Sequence, residues 1–85
     1  MDIYGAIVEI VALVFRLDSE QVRKMSADDP LSTIGLDSLN CMEIVVNIEE
    51  EFGVAFQDEE LLLDNLNTIN KLCAMVSKKQ ELYTT

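Results

Sequence analysis

"GLDSLNCMEIVVNIEEEFGV", residues 35–54, is the most informative stretch of this 85-residue chain. Its apolar residues recur at intervals of three and four, the spacing of a helix that buries one face. Asp37 can cap the start of that helix with its carboxylate, and Gly53 can end it in a left-handed backbone conformation. We therefore predict a long helix from Ser38 to Phe52.

This long helix carries two apolar stripes at about 100° per residue. The first stripe is wide enough to serve the core and consists of Cys41, Ile44, Val45, Ile48 and Phe52. The second stripe lies well over a quarter-turn away and consists of Leu39, Met42 and Val46, flanked by Glu43, Glu49 and Glu50. A second stripe covers either another helix of the same domain or a groove on a partner protein.

Ser38 lies in the first turn of this helix, near the border of the two stripes. Unpaired backbone amides and the positive end of the helix dipole favour a phosphate at that place, although serine is also a common residue at a plain helix start. A serine hydrolase is disfavoured because the chain has no histidine and no small residues around the serine. The alternating acids of a calcium-binding loop and the paired cysteines of a zinc site are missing as well, so no metal site is predicted.

The rest of the chain predicts an all-α fold with three further helices. A first helix spans Ile3 to Phe15 and is too short and too acidic at its start to be a membrane span or a signal. A long loop over residues 16–35 follows, with room for a short helical turn. A short third helix is capped by Asp58, and a final helix is capped by Asn67 or Thr68 and continues to Val76, with a polar tail from Ser77. We expect one domain over residues 1–85, with its core in residues 2–78 and a flexible tail over residues 79–85.

The composition predicts a folded chain with a strongly acidic surface. Acids outnumber bases by 16 to 6, the formal charge is -10, and 49% of the residues are hydrophobic. Such a surface repels nucleic acid and favours protein partners with basic patches. The two cysteines, without any histidine, are expected to be reduced core thiols in a reducing compartment, which indicates a cytoplasmic protein.

The Asp-Ser-Leu sequence at the start of a long acidic helix resembles the phosphopantetheine attachment region of acyl carrier proteins. This resemblance implies a small four-helix bundle with a long loop between its first two helices and a short third helix. It also implies a non-catalytic protein that a phosphopantetheinyl transferase modifies at Ser38 with 4′-phosphopantetheine from coenzyme A. The thiol of that group then holds acyl intermediates of fatty acid, polyketide or related biosynthesis as thioesters. We expect a monomer, although the apolar first helix leaves dimerisation open.

The resemblance also implies which residues contact partner enzymes. These partners are the transferase and the enzymes that load and process acyl groups, and they are expected to carry basic patches. The positions similar to the family's contact positions are Asp37, Leu39, Met42, Glu43, Val46, Glu49 and Glu50. The second apolar stripe is then a docking surface.

The chain departs from the family pattern in three ways, one of which is a first helix that is more apolar than usual, and it leaves two alternative functions open. Asn40 and Thr33 stand where family members commonly carry acids, so we expect Asn40→Asp to speed modification by a standard fatty-acid-type transferase. A dedicated transferase adapted to the neutral side chain would instead be slowed by the same substitution. An aminoacyl or peptidyl carrier is an alternative, against which Leu36 argues because those proteins tend to carry glycine there. An unmodified adaptor is the other alternative, and the intact Asp37-Ser38-Leu39 argues against it.

Overall fold

The computed structural model describes residues 2–83, and within them every regular element is helical. The α-helices are α1 (Ile3–Phe15), α2 (Ser19–Lys24), α3 (Ser38–Phe52), α4 (Leu63–Leu66) and α5 (Ile69–Tyr83). Two 3₁₀ turns add Leu31–Ile34 before α3 and Asp58–Glu60 after it. This confirms the small all-α bundle with a long connection after α1 and a short helix before the last one. The sequence left room for one short helical turn in the long connection. The structure has two helical elements there, α2 and the 3₁₀ turn Leu31–Ile34.

Three helices, α1, α3 and α5, surround the core, with α2 packed on α1 and α4 packed on α5 and α3. Their buried residues have the helical spacing that the sequence showed for α3: Ile7, Val8, Ile10 and Val11 in α1, Ile44, Val45 and Ile48 in α3, and Ile69, Leu72 and Val76 in α5. The first stripe of α3 is therefore a core stripe. The unusually apolar α1 is explained by its burial between three neighbours, and Leu13, at 68% exposure, is its main exception.

The start and end of α3 agree with the prediction because both signals are local. Asp37 has an extended backbone and its side chain accepts from the Asn40 backbone N–H, as an N-cap does. Gly53 ends the helix with a φ of 65°, a value that favours glycine over other residues. The final helix is capped by Thr68, whose Oγ1 accepts from the Lys71 N–H at 3.0 Å.

The predicted cap at Asp58 is wrong. Asp58 begins the 3₁₀ turn that ends at Glu60, and α4 begins only at Leu63, with Leu62 at its N-cap position. A four-residue helix has too few internal hydrogen bonds to be stable alone, so its position depends on α5 and α3. None of the helices within residues 2–83 is long and apolar enough to cross a membrane.

The predicted end of the last helix is also wrong, because α5 continues past Ser77 to Tyr83. Lys79, which belongs to the predicted tail, is buried, and its Nζ donates to Glu60 Oε1 at 2.6 Å. The same ammonium lies 5.0 Å from the centre of the Phe56 ring. A charge buried in this way needs a partner, and that partner lies 19 residues earlier in the chain. Residues 84 and 85 of the predicted tail lie outside the described residues.

Replacement of Lys79 by methionine should lower the free energy of unfolding by about 1.5–3 kcal/mol, as expected for a hydrogen bond between charged groups. Methionine keeps most of the apolar stem but leaves the Glu60 carboxylate without its cation. Urea unfolding at pH 7 measures the loss, with Lys24→Met, at an exposed lysine on α2, as the matched control. Equal stability of the two variants would show that the pair contributes nothing.

The same pair should make the difference between wild type and Lys79→Met depend on pH. The Gln57 backbone N–H and the Lys79 ammonium hold the pKa of the Glu60 carboxyl below its usual value. A depressed pKa gives stability that is present above the ordinary glutamate pKa, about 4.3, and that is lost as the pH falls through the folded-state value. The advantage of the wild type over Lys79→Met should therefore shrink when unfolding is measured below pH 4.

Candidate functional site

Ser38 is the first residue of α3, and its side chain is exposed. The Asp37 carboxylate accepts from the Asn40 backbone N–H at 3.0 Å, so this part of the helix start is already bonded. The backbone N–H groups of Ser38 and Leu39 donate to no acceptor within residues 2–83. Ser38 therefore lies in a helix start with two free donors, at the positive end of a 15-residue helix. This arrangement fits a phosphate ester on the Ser38 oxygen.

Asn40 completes the helix start in a way that the sequence interpretation missed. Its Oδ1 accepts from the Asp37 backbone N–H at 2.7 Å, which makes a reciprocal capping box with Asp37. Its Nδ2 donates to the Gly35 carbonyl at 2.8 Å. The amide is half-buried and bonded to the preceding loop. Asn40 therefore has a structural role, in addition to lacking the charge that family members commonly carry there. The spacing Asp37-x-x-Asn40 was the available signal, because a capping box pairs the cap with the third helical residue.

Asn40→Asp is now expected to have two separable effects. The carboxylate can still accept from the Asp37 N–H, but it cannot donate to the Gly35 carbonyl, which should cost about 0.5–1.5 kcal/mol of stability. The added charge should speed the encounter with a basic transferase at low salt. Thermal unfolding and initial modification rates at two salt concentrations separate the effects, because only the rate gain should vanish at high salt. An unchanged stability would contradict a role for the bond to Gly35.

The second stripe of α3 is open to solvent, with Leu39 at 79%, Met42 at 45% and Val46 at 46% exposure. The three side chains line a shallow groove of about 380 Å³ together with Glu43 and Asn47. The stripe therefore does not cover another helix among the described residues, and the intramolecular alternative is excluded for them. Asn47 was not foreseen as part of this surface, and its Nδ2 donates to the Glu43 carbonyl at 2.8 Å.

The acids predicted to contact partners do not all lie on this open surface. Asp37, Glu43 and Glu50 are exposed. Glu49 is half-buried, and its Oε2 accepts from the Phe56 backbone N–H at 2.8 Å. The chain reverses at Gly53 and brings the Phe56 amide back over the last turn of α3, a contact that the helical spacing alone does not reveal.

The cysteine thiols of the chain are poor candidates for chemistry. Cys41 is buried and Cys73 is half-buried, and neither forms a disulfide. Burial raises the pKa of the Cys41 thiol, and burial together with the nearby Asp2 carboxylate raises the pKa of the Cys73 thiol. Both shifts reduce the thiolate fraction that a nucleophile needs. In the part of the chain that the structure describes, no group of three or more acids and cysteines is placed to hold a metal ion.

Comparisons with known proteins agree with this geometry. A family model described as "Phosphopantetheine attachment site" matches residues 5–76. The "Acyl carrier protein homolog" of Mycoplasmopsis pulmonis is 29% identical over 69 residues, which cover 81% of this chain and 92% of that protein. An "Acyl carrier protein" of Buchnera aphidicola is 31% identical over 64 residues, which cover 75% and 78%. The crystal structure of an acyl carrier protein from Thermotoga maritima has the same fold, with a TM-score of 0.63 at 23% identity over 92% of this chain and 94% of that one.

Proposed function

Because the chain belongs to the acyl carrier protein family, whose members are non-catalytic and hold a covalent 4′-phosphopantetheine, we propose that Ser38 is the attachment residue. The observation that supports this most is the exposed hydroxyl at a capped helix start with two unbonded amides beside it. The prosthetic group supplies a thiol that holds an acyl group as a thioester, at the end of an arm. Ser38 and its surroundings supply the attachment point.

Attachment is a phosphoryl transfer between coenzyme A and Ser38, catalysed by a phosphopantetheinyl transferase. The Ser38 oxygen forms a new bond to the phosphorus that carries the pantetheine arm. The bond from that phosphorus to the nucleotide part of coenzyme A breaks, and the hydroxyl proton is accepted by the transferase. We expect the free N–H groups of Ser38 and Leu39 to interact with the negative charge of the resulting phosphodiester.

The docking surface that we propose is the open groove of α3, formed by Leu39, Met42 and Val46, with exposed acids at Asp37, Glu43 and Glu50. Its apolar centre and acidic rim suit enzymes that present an apolar side chain within a basic patch. Such partners are the transferase and the enzymes that load and process acyl groups. Glu49 is included in this proposal only through its charge, since its carboxylate is bonded to the Phe56 amide.

The cargo that we propose is an acyl intermediate of fatty acid, polyketide or related biosynthesis. Leu36, where aminoacyl and peptidyl carriers tend to have glycine, supports the acyl class, and it packs against the core beside the site. We also propose that the chain acts as a single domain over residues 1–85, as a monomer, and in the cytoplasm. The two unpaired cysteines support the reducing compartment.

Intact mass spectrometry of the protein purified from its native host tests this function. We expect one phosphopantetheine group, with or without an acyl mass on its thiol, and the acyl mass identifies the class of pathway. An aminoacyl mass would indicate the peptidyl alternative. A permanently unmodified protein that also resists several transferases in vitro would indicate the adaptor alternative.

A further inference from the structure

The backbone that leads into the attachment site is held by a residue that is distant in the sequence. Asn67 lies between α4 and α5, 35 positions after Ser32. Its backbone carbonyl accepts from the Leu31 N–H at 2.6 Å, and its side-chain Oδ1 accepts from the Ser32 N–H at 3.1 Å. One residue thus satisfies the first two donors of the 3₁₀ turn Leu31–Ile34, which no residue inside that turn can satisfy.

From this turn, hydrogen bonds continue to the residue before the helix cap. The Gly35 N–H donates to the Ser32 carbonyl at 3.2 Å, and the Leu36 N–H donates to the Leu31 carbonyl at 3.2 Å. Leu31 is completely buried, so the turn is also fixed by packing. The Gly35 carbonyl in turn accepts from Asn40 in the first turn of α3. The segment over residues 31–37 is therefore held at its beginning by Asn67 and at its end by Asn40.

We infer that Asn67 is a positioning residue for attachment at Ser38, acting through the turn Leu31–Ile34 and without touching the reacting atoms. The inference rests on the proposed attachment at Ser38. Its physical basis is that phosphoryl transfer requires the hydroxyl in a narrow range of positions, so small displacements are costly. Without the side-chain acceptor of Asn67, the residues from Ser32 to Leu36 should have a wider range of conformations directly before Asp37.

Within residues 2–83 the Asn67 side chain serves only as an acceptor, and this makes a conservative rescue possible. In Asn67→Ala the Ser32 N–H has no side-chain acceptor, whereas Asn67→Asp keeps an oxygen at the same place. Asn65→Ala is the matched control, because Asn65 is exposed, lies two residues away, and makes no side-chain hydrogen bond within residues 2–83. If Asn67→Ala does not fold, Asn67→Ser replaces it with the same expected result. The serine hydroxyl lies closer to its own backbone than the asparagine oxygen does, so it should not reach the Ser32 N–H.

The experiment measures kcat and KM for modification of each variant by one broad-specificity transferase with coenzyme A, at a salt concentration that screens the charge of Asn67→Asp. Asn67→Ala should lower kcat roughly threefold to tenfold per folded protein, with KM unchanged because the docking surface is intact. Asn67→Asp and Asn65→Ala should keep the wild-type kcat. Amide hydrogen exchange at Ser32 and Leu36 should be faster in Asn67→Ala than in either of the other two variants.

Three results overturn the inference, and one of them also overturns the attachment proposal. A wild-type kcat in Asn67→Ala, with the wild type itself modified, overturns the positioning role and leaves attachment at Ser38 intact. Absence of modification in the wild type overturns the attachment proposal and the positioning role together. A loss of rate that Asn67→Asp does not rescue also contradicts the role, because the acceptor oxygen is then not the cause.

Discussion

Replacement of Ser38 by alanine is expected to abolish the addition of phosphopantetheine by any transferase that modifies the wild type. Alanine removes the only oxygen at this position that can form the bond to phosphorus. The fold should survive, because alanine is a good helix former and the Asp37–Asn40 capping box does not use the Ser38 side chain. Intact mass after incubation with coenzyme A and transferase measures the result, and thermal unfolding confirms that the variant is folded.

The matched control for this prediction is Ser32→Ala. Ser32 is also exposed, lies six residues before Ser38, and forms its hydrogen bond to Asn67 through the backbone, which alanine retains. It should accept one phosphopantetheine group at the wild-type rate. Addition of that mass to Ser38→Ala would mean that another side chain is the acceptor, and the attachment proposal would then be wrong.

Truncation of Ile48 to alanine is expected to lower the free energy of unfolding by about 2–5 kcal/mol, whereas Val46→Ala should change it little. The two residues are neighbours on α3 but face opposite environments, since Ile48 is completely buried and Val46 is 46% exposed. Loss of buried methyl groups removes apolar burial and leaves a cavity. For a domain of this size such a loss is a large part of the total stability. Urea unfolding of both variants measures the difference.

Partner binding, in contrast, should be weakened more by Val46→Ala than by Ile48→Ala. Val46→Ala and Met42→Ala should weaken binding to a transferase, measured as a rise in KM, because both side chains line the open groove of α3. Leu13→Ala tests whether loss of any exposed apolar side chain has this effect, since Leu13 is exposed on α1 and lies outside that groove. Equal destabilisation by Ile48→Ala and Val46→Ala would contradict the assignment of one stripe to the core and the other to docking.

The parts of the fold that were predictable from sequence depend on contacts close in the chain. The bounds of α3 follow from Asp37 and Gly53, which act on the helix next to them, and the core stripes follow from helical spacing. The short helices were less predictable because a helix of four or six residues is stabilised mainly by tertiary packing. The end of α5 was predicted wrongly for the same reason. Lys79 can be buried only because Glu60, which is distant in the sequence, pairs with its charge.

The candidate site divides in a similar way. Ser38 at the helix start and the exposed side chains of Leu39, Met42 and Val46 were predicted from one stretch of sequence, whereas Asn47, which also lines the groove, was not. The bond from Glu49 to Phe56 requires knowledge of how the chain reverses after Gly53. The contact of Asn67 with Ser32 joins segments 35 residues apart, and nothing in the local pattern of either segment indicates it.

The ion pair between Lys79 and Glu60 also matters for where the chain can be cut. The family match ends at residue 76, three positions before Lys79. A fragment excised at that boundary, for transfer into a fusion protein or for use as a labelling tag, would contain Glu60 without its cation. The turn Asp58–Glu60 would then lose its attachment to α5, and the neighbouring Phe56 ring would lose the ammonium beside it. Fusions that keep residues through at least 83 should therefore melt at a higher temperature than fusions that stop at the family boundary.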